Sequence, residues 1–178
     1  MHTLTPKLRI AIIASILLIS VGCDQATKRI AQTKLAPIDR VEIAGKYFAF
    51  QYAENRGAFL SLGASMSESA RFWIFTVFTS GVLIVLAWYV FAHTALQITD
   101  VVAVALLLSG GIGNMIDRIT RDGHVIDFMV IEIWGPLRTG VFNVADVAVM
   151  AGVFLLFGAR LIWRPKVDEE KAHDATQP

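Results

Sequence analysis

Residues 72 to 92 carry no formal charge, a run of about the 20 residues that a helix needs to cross the hydrocarbon core of a bilayer. A segment of that kind sets the solvent in which the chain folds. Residues 101 to 116 are also apolar but hold Gly110, Gly111, Gly113 and Asn114, small residues that let a neighbouring helix or a ligand approach the backbone closely. A third run, 144 to 163, is interrupted by Asp146 and followed by Arg164 and Lys166. The first run, 10 to 23, is short for a crossing. It lengthens if Arg9 and Lys28 snorkel outward while the helix continues through Asp24 toward Lys34.

The expected fold is therefore mainly α and polytopic, with four transmembrane helices at about 8–28, 72–93, 99–117 and 143–163. Composition agrees: 55% of the 178 residues are hydrophobic and 17% charged, with a mean hydropathy of +0.58, too apolar for an ordinary soluble domain. In the loop at about 35–70, Pro37 and Gly45 punctuate the chain, and Lys46, Phe48, Phe50 and Tyr52 alternate as in a short strand. A small extracytoplasmic β-sheet is expected there. Residues 1–165 read as one integral membrane domain, and 166–178, mixed in charge and without apolar periodicity, as a disordered cytoplasmic tail.

Four crossings put both termini on one side, and Lys7, Arg9, Arg160, Arg164 and Lys166 favour the cytoplasm for them. The Lys and Arg residues between 28 and 71 work against that rule. The net charge of +1, with no concentrated basic run, argues against nucleic acid as a partner. The single cysteine, Cys23, excludes an internal disulfide. It follows Val21-Gly22 after an apolar run, which is similar to the end of a lipoprotein export signal. Ser20 and the three further apolar runs count against that reading, and a lone cysteine on an apolar helix is most often a small buried hydrophobe.

The residues that carry chemistry are acids and amides near the ends of the spans: Asp24, Asn55, Asn114, Asp117, Asp127, Asn143 and Asp146. An aspartate at a membrane helix centre costs about 2.5–3.5 kcal/mol, so such groups face a cavity, pair, or react. Asn114, Asp117 and Arg118 share one helix face by their spacing, as do Asn143 and Asp146. Asp127 interrupts the extended-looking run 125–130. Two carboxylates in a low-dielectric site cannot both ionise cheaply and so share a proton, the state used when one acid activates water and the other polarises a carbonyl.

Each residue also has a plainer role. Asp117 beside Arg118 fits a boundary ion pair, Asp24 fits an i,i+4 pair with Lys28, and Asn143 fits a helix cap. Spacing alone leaves Asp117 in play beside Asp127 and Asp146. His2, His93, His124 and His173 are scattered, without a zinc-ligand spacing. No Gly-x-Ser-x-Gly turn occurs, and Cys23 has no nearby histidine. A small proton-coupled transporter or channel subunit, with the aspartates as a relay, remains open.

Five motifs in order carry a resemblance: Asp24-Gln25-Ala26-Thr27-Lys28, Asn55-Arg56-Gly57-Ala58-Phe59, Gly113-Asn114-Met115-Ile116-Asp117-Arg118, Val125-Ile126-Asp127-Phe128 and Phe142-Asn143-Val144-Ala145-Asp146. The chain resembles the bacterial lipoprotein signal peptidase family, also called signal peptidase II, over nearly its whole length. The resemblance implies an aspartic endopeptidase of the cytoplasmic (inner) membrane that needs no cofactor or metal. It would cleave prolipoproteins before a cysteine carrying a diacylglyceryl group, in contact with membrane lipids, and be blocked by globomycin. It also implies that Asp127 and Asp146 are the catalytic pair, that Asn55, Asn114, Arg118 and Asn143 hold substrate, and that Asp24 and Asp117 support them. The loop reads Asn55-Arg56-Gly57-Ala58-Phe59-Leu60, where members of that family commonly have a small or hydroxyl residue after the asparagine and a further alanine. Residues 66–71 carry no recognised motif.

Overall fold

The computed structural model describes residues 4–38, 40–43, 47–57, 63, 65–134 and 137–162; the expected tail, 166–178, lies outside them. Helix α1 (Pro6–Ile30) begins where Thr5 accepts the N–H of Leu8 at 3.4 Å and Pro6 takes the first turn. Both residue types suit a helix start. A wide π-helical turn, Ala31–Leu35, prolongs it. Helix α2 (Glu68–Arg71), capped by Ser67, continues through a second wide-turned stretch, Phe72–Phe78, into α3 (Thr79–Ala92). Helix α4 (Ile98–Thr120) starts at Gln97, whose N–H meets the Asp100 carboxylate at 3.4 Å. Helix α5 (Val144–Ile162) closes the described chain.

Pro6–Leu35, Glu68–Ala92 and Ile98–Thr120 are each long and apolar enough to cross a membrane. In α5 the apolar stretch is the shorter Val144–Gly158, although its 19 residues reach about 28 Å at 1.5 Å per residue. The side chains are distributed for lipid. Phe78, Ile84 and Trp88 on the α2–α3 rod and Phe154 and Phe157 on α5 point outward, while the buried polar groups gather inside. A bilayer rewards that arrangement because tails accept apolar surface and offer polar groups nothing.

Four antiparallel strands form a small sheet in the order β1 (Arg40–Ile43), β2 (Phe48–Asn55), β3 (Val125–Trp134), β4 (Leu137–Arg138). The mainly helical membrane fold with a small sheet is as expected, and β2 contains the alternating aromatics that announced it. Arg40 on β1 pairs with Glu132 on β3, tying the two strands flanking β2. Beneath the sheet, Ala31 and Leu35 at the end of the first helix pack with Ile126 and Phe128 of β3. A second core of Ile13, Val90, Val101, Val104, Ala105 and Leu108 joins α1, α3 and α4.

Neither basic residue expected to snorkel does so. Arg9 is buried and its guanidinium donates to the carbonyls of Val90 and His93, the open C-terminal end of α3. The carbonyls of a helix end need donors more than the arginine needs water. Lys28 is fully buried and points inward. Cys23, by contrast, is exposed on α1, because a face turned to lipid accepts a small apolar group as readily as a core does.

Helices α4 and α5 meet along glycines. A Cβ on Gly110 would strike the carbonyl oxygen of Ala145, and one on Gly152 would lie 2.8 Å from the carbonyl of Ala103. Backbone cannot yield as a flexible side chain can. Gly110→Ala is expected to separate α4 from α5 and destabilise the fold by about 1–3 kcal/mol, the usual range for overpacking, read as a lowered thermal midpoint in detergent; an unchanged midpoint would show that the contact is not tight in solution.

Candidate active site

The geometry starts with strand pairing. Strand β2 runs beside β3 with Ala53 opposite Asp127 and Asn55 opposite Val125. Phe142 bridges to Met129, exchanging N–H to carbonyl bonds of 2.9 Å each way. Two non-local pairings thus deliver Asn55 from one side and Asn143 from the other to Asp127. Asn55 Nδ2 donates to Asp127 Oδ2 at 2.9 Å, and Asn143 Nδ2 donates to Asp127 Oδ1 at 2.6 Å. The Asn55 oxygen accepts the N–H of Gly57 at 2.8 Å, which fixes the amide orientation.

Asn143 also caps α5. Its Oδ1 accepts the N–H of Asp146 at 2.9 Å, and its own N–H donates to Asp146 Oδ2 at 3.2 Å. This reciprocal pattern is a capping box. One asparagine therefore touches both Asp127 and Asp146, through its side-chain amide and its cap. Asn114 completes the ring: Nδ2 donates to Asp146 Oδ1 at 2.9 Å, while Oδ1 accepts from Asn143 Nδ2 at 3.0 Å. Asp127 and Asn143 are buried, whereas Asp146 and Asn114 are partly open, so the approach is from the Asp146 side.

A third layer lies behind Asn114. Lys28 Nζ sits 2.8 Å from Asp24 Oδ2, 2.9 Å from Asp117 Oδ2 and 3.0 Å from Asn114 Oδ1. Asp24 Oδ1 accepts the N–H of Ala145 in the first turn of α5 at 2.9 Å, where the helix presents unpaired N–H groups and a partial positive charge. Asp117 Oδ2 accepts the N–H of Ile126 at 3.1 Å, and its other oxygen lies 3.4 Å from Arg121. Gln25 Nε2 donates to both carboxylates at 3.2 Å. Asp24 and Asp117 are thus consumed by structure. The pairing of Asp117 with Arg118 suggested by adjacency is not made; Arg118 donates to the carbonyl of Gly57 at 3.0 Å. Lys28 and Gln25 were missed as members of the site. The signal for Lys28 was its i,i+4 spacing from an aspartate that membrane burial obliges to be paired.

A cleft of about 790 Å³ is lined by Arg56, Arg71, Phe72, Phe75, Arg118 and His124 among others, and its lining includes neither Asp127 nor Asp146. Arg118 lines this cleft and donates to the Gly57 carbonyl in the Asn55 loop. Arg56 departs from a small residue for a visible reason: its Nε donates to His124 Nε2 at 2.6 Å, clamping the Asn55 loop to the turn before β3.

Burial pushes the Asp127 carboxyl up to about 7, helped by the negative charge of Asp146, while the amides of Asn55 and Asn143 and the charge of Lys28 pull it back. Asp127 therefore carries a proton across the range in which an ordinary aspartate, at about 3.9, has lost it.

The fold and this site define a multi-pass membrane protein with a pair of aspartates linked by asparagine amides at one end of its helices. Residues 16–162 match the signal peptidase (SPase) II family. The chain is 34% identical over 158 residues to a lipoprotein signal peptidase of Syntrophotalea carbinolica, covering 89% of this chain and 93% of the relative. It is 34% identical over 151 residues to one of Sphingopyxis alaskensis, covering 84% of each, and 35% identical over 144 residues to one of Leifsonia xyli, covering 77% of this chain and 62% of the longer relative. A bacterial membrane enzyme solved in meso at 2.3 Å resolution superposes with a TM-score of 0.72 at 29% identity, over 90% of this chain and 92% of that one. A second, at 1.9 Å, gives 0.72 at 28% identity, over 90% and 97%. The chain belongs to the signal peptidase II family, a family of peptidases.

The Asp127 proton is directly observable. Its raised folded-state value means that the carboxyl contributes stability fully below about 3.9 and that this contribution is lost as pH rises through about 7. A protonated-carboxyl infrared band should fade as pH rises through about 7 and be absent in Asp127→Asn; a band that fades near pH 4 would mean that the site is wet.

Proposed function

We propose that this protein is an aspartic endopeptidase of the cytoplasmic (inner) membrane that removes the signal peptide from diacylglyceryl-modified prolipoproteins, cleaving before the lipidated cysteine. The observation that carries the reading is the single asparagine, Asn143, bound to both Asp127 and Asp146. Asn143 donates to Asp127 from its side-chain amide and to Asp146 from its backbone N–H, and one residue that holds both carboxylates in a poorly hydrated place suits a one-proton pair. The membrane position suits a substrate whose acyl chains stay in lipid while its peptide reaches the site. Both termini are assigned to the cytoplasm, and residues 1–165 to one peptidase domain.

Asp146 stands in the first turn of α5 and receives two N–H donors. It takes a proton from water as the water oxygen attacks the scissile carbonyl carbon. Asp127, the buried member, gives its proton to the carbonyl oxygen, producing a geminal diol. Proton transfer to the cysteine nitrogen then breaks the C–N bond, and the products are a free amine on the lipidated cysteine and a carboxyl on the signal peptide. No metal or other cofactor enters this sequence. Asn55, Asn114, Arg118 and Asn143 hold the substrate backbone and the pair, and Asp24 and Asp117 hold the elements that carry them. Globomycin is expected to compete at the pair.

A proton relay needs polar groups along the length of the bundle. Between the site and Arg9 the described core is mainly apolar, with Ile13, Val90, Val101, Val104 and Leu108, and its Ser109 hydroxyl is bonded to Ser20, which favours hydrolysis over transport. The test is cleavage of a diacylglyceryl-modified prolipoprotein in membranes by wild type and by folded Asp127→Asn, Asp146→Asn and Asp117→Asn. The first two should fall by about 10²- to 10⁴-fold, the usual contribution of a general acid or base, and the third should keep residual activity. Full cleavage by all three would end the aspartic reading, and proton flux through liposomes would then be the assay to run.

A further inference from the structure

Lys28 is a fully buried ammonium that takes no part in the steps above. Its plain purpose is to neutralise Asp24 and Asp117, which it meets at 2.8 and 2.9 Å. Its third contact has a different consequence. An ammonium has three donors and accepts nothing, so Nζ, 3.0 Å from the Asn114 amide, must face the oxygen. Asn143 Nδ2 faces the same oxygen. A flipped Asn114 would set its NH2 group against two donors, one of them charged. With the oxygen pinned, the remaining amide N–H points at Asp146.

We propose that Lys28 is a positioning residue for the aspartate pair: it fixes the Asn114 amide so that Asn114 donates to Asp146, and it supplies the buried positive charge that lets the pair hold a single proton. The inference rests on the peptidase reading for its kinetic consequence but not for its electrostatic one. The charges facing this region are Lys28 from α1, Arg118 and Arg121 from α4, and Asp24, Asp117, Asp127 and Asp146 from α1, α4, β3 and α5. Three cations meet four carboxylates, and the set is neutral when one carboxyl is protonated. In any background, removing Lys28 raises by one the number of protons at which the set is neutral, so the pair keeps its protons to higher pH. The charge of Lys28 also bears directly on Asp127, lowering its proton affinity against the effect of burial.

Lys28→Met alone leaves Asp24 and Asp117 uncompensated and can fail to fold, so the deciding variant is Lys28→Met with Asp24→Asn, compared with Asp24→Asn alone. That pair of changes removes one charge of each sign. The double variant should lose about 100-fold in kcat relative to Asp24→Asn, the scale of a small misplacement of reacting groups, with KM little changed. Both limbs of its pH–rate profile should move to higher pH, and so should the titration of the Asp127 infrared band. Lys28→Arg, which keeps a cation and its donors, should hold the limbs near their wild-type positions. A folded double variant with the kcat, limbs and infrared titration of Asp24→Asn would overturn the proposal and leave Lys28 as a neutralising group only. The infrared titration decides the electrostatic part even if wild type fails to cleave, an outcome that would sink the peptidase reading instead.

Discussion

The contact on which the molecule depends is the Lys28 ammonium held between the carboxylates of Asp24 and Asp117. A charge brought out of water is expensive unless paired and hydrogen-bonded, and here every partner is on a different task. Asp24 is on α1 and also binds the first turn of α5. Asp117 is on α4 and also binds the first turn of β3 through Ile126. One ammonium therefore ties together four elements, three of which carry the two aspartates and Asn114. Removing it would release the site from its frame before any side chain of the pair were touched.

Close approach makes that contact possible. A Cβ on Gly113 would stand 2.7 Å from Asp24 Oδ2, so the carboxylate reaches Lys28 and Ala145 only because α4 presents bare backbone there. Gly110 does the same for α5. In a bilayer the hydrophobic effect gives helices little reason to associate with each other in place of lipid, and packing and hydrogen bonds must supply the attraction. The glycines and the buried ions are thus two halves of one solution, the first letting backbones meet and the second giving them something to bind.

The helices were legible in the sequence because a bilayer demands long apolar runs, and the polar residues were legible because those runs expose any exception. β2 was legible from alternating Phe48, Phe50 and Tyr52. The union of Asn55 with Asp127 was not, since it depends on which strands pair across a long separation and no local pattern records a partner. Direction was also hidden. Lys28 and Arg9 had two physically sound destinations, water beyond the membrane or carbonyls and carboxylates within it, and sequence spacing does not weigh one against the other. Asp117 was indistinguishable from Asp127 and Asp146 by residue type and spacing. What separates it is the count of partners: Lys28, Arg121, Gln25 and the Ile126 N–H occupy its oxygens.

Satisfaction is the property that divides the acids of this site into frame and chemistry. Asp24 and Asp117 are fully buried and meet a cation as well as N–H donors, so protonating either would break several contacts at once. Asp127 is equally buried, but the amides of Asn55 and Asn143 that bind it are neutral, which a protonated carboxyl tolerates at modest cost because its oxygens still accept. Asp146 is partly open, held by the N–H groups of Asn114 and its own cap. The pair is therefore free to exchange a proton within a frame that is not free to do so. On the proposed aspartic reading that separation has a use, since a proton that wandered to Asp24 or Asp117 would loosen the helices with every turnover. Lys28 enforces it from the frame side by pairing with both of those acids, and its third donor reaches Asn114, which in turn donates to Asp146.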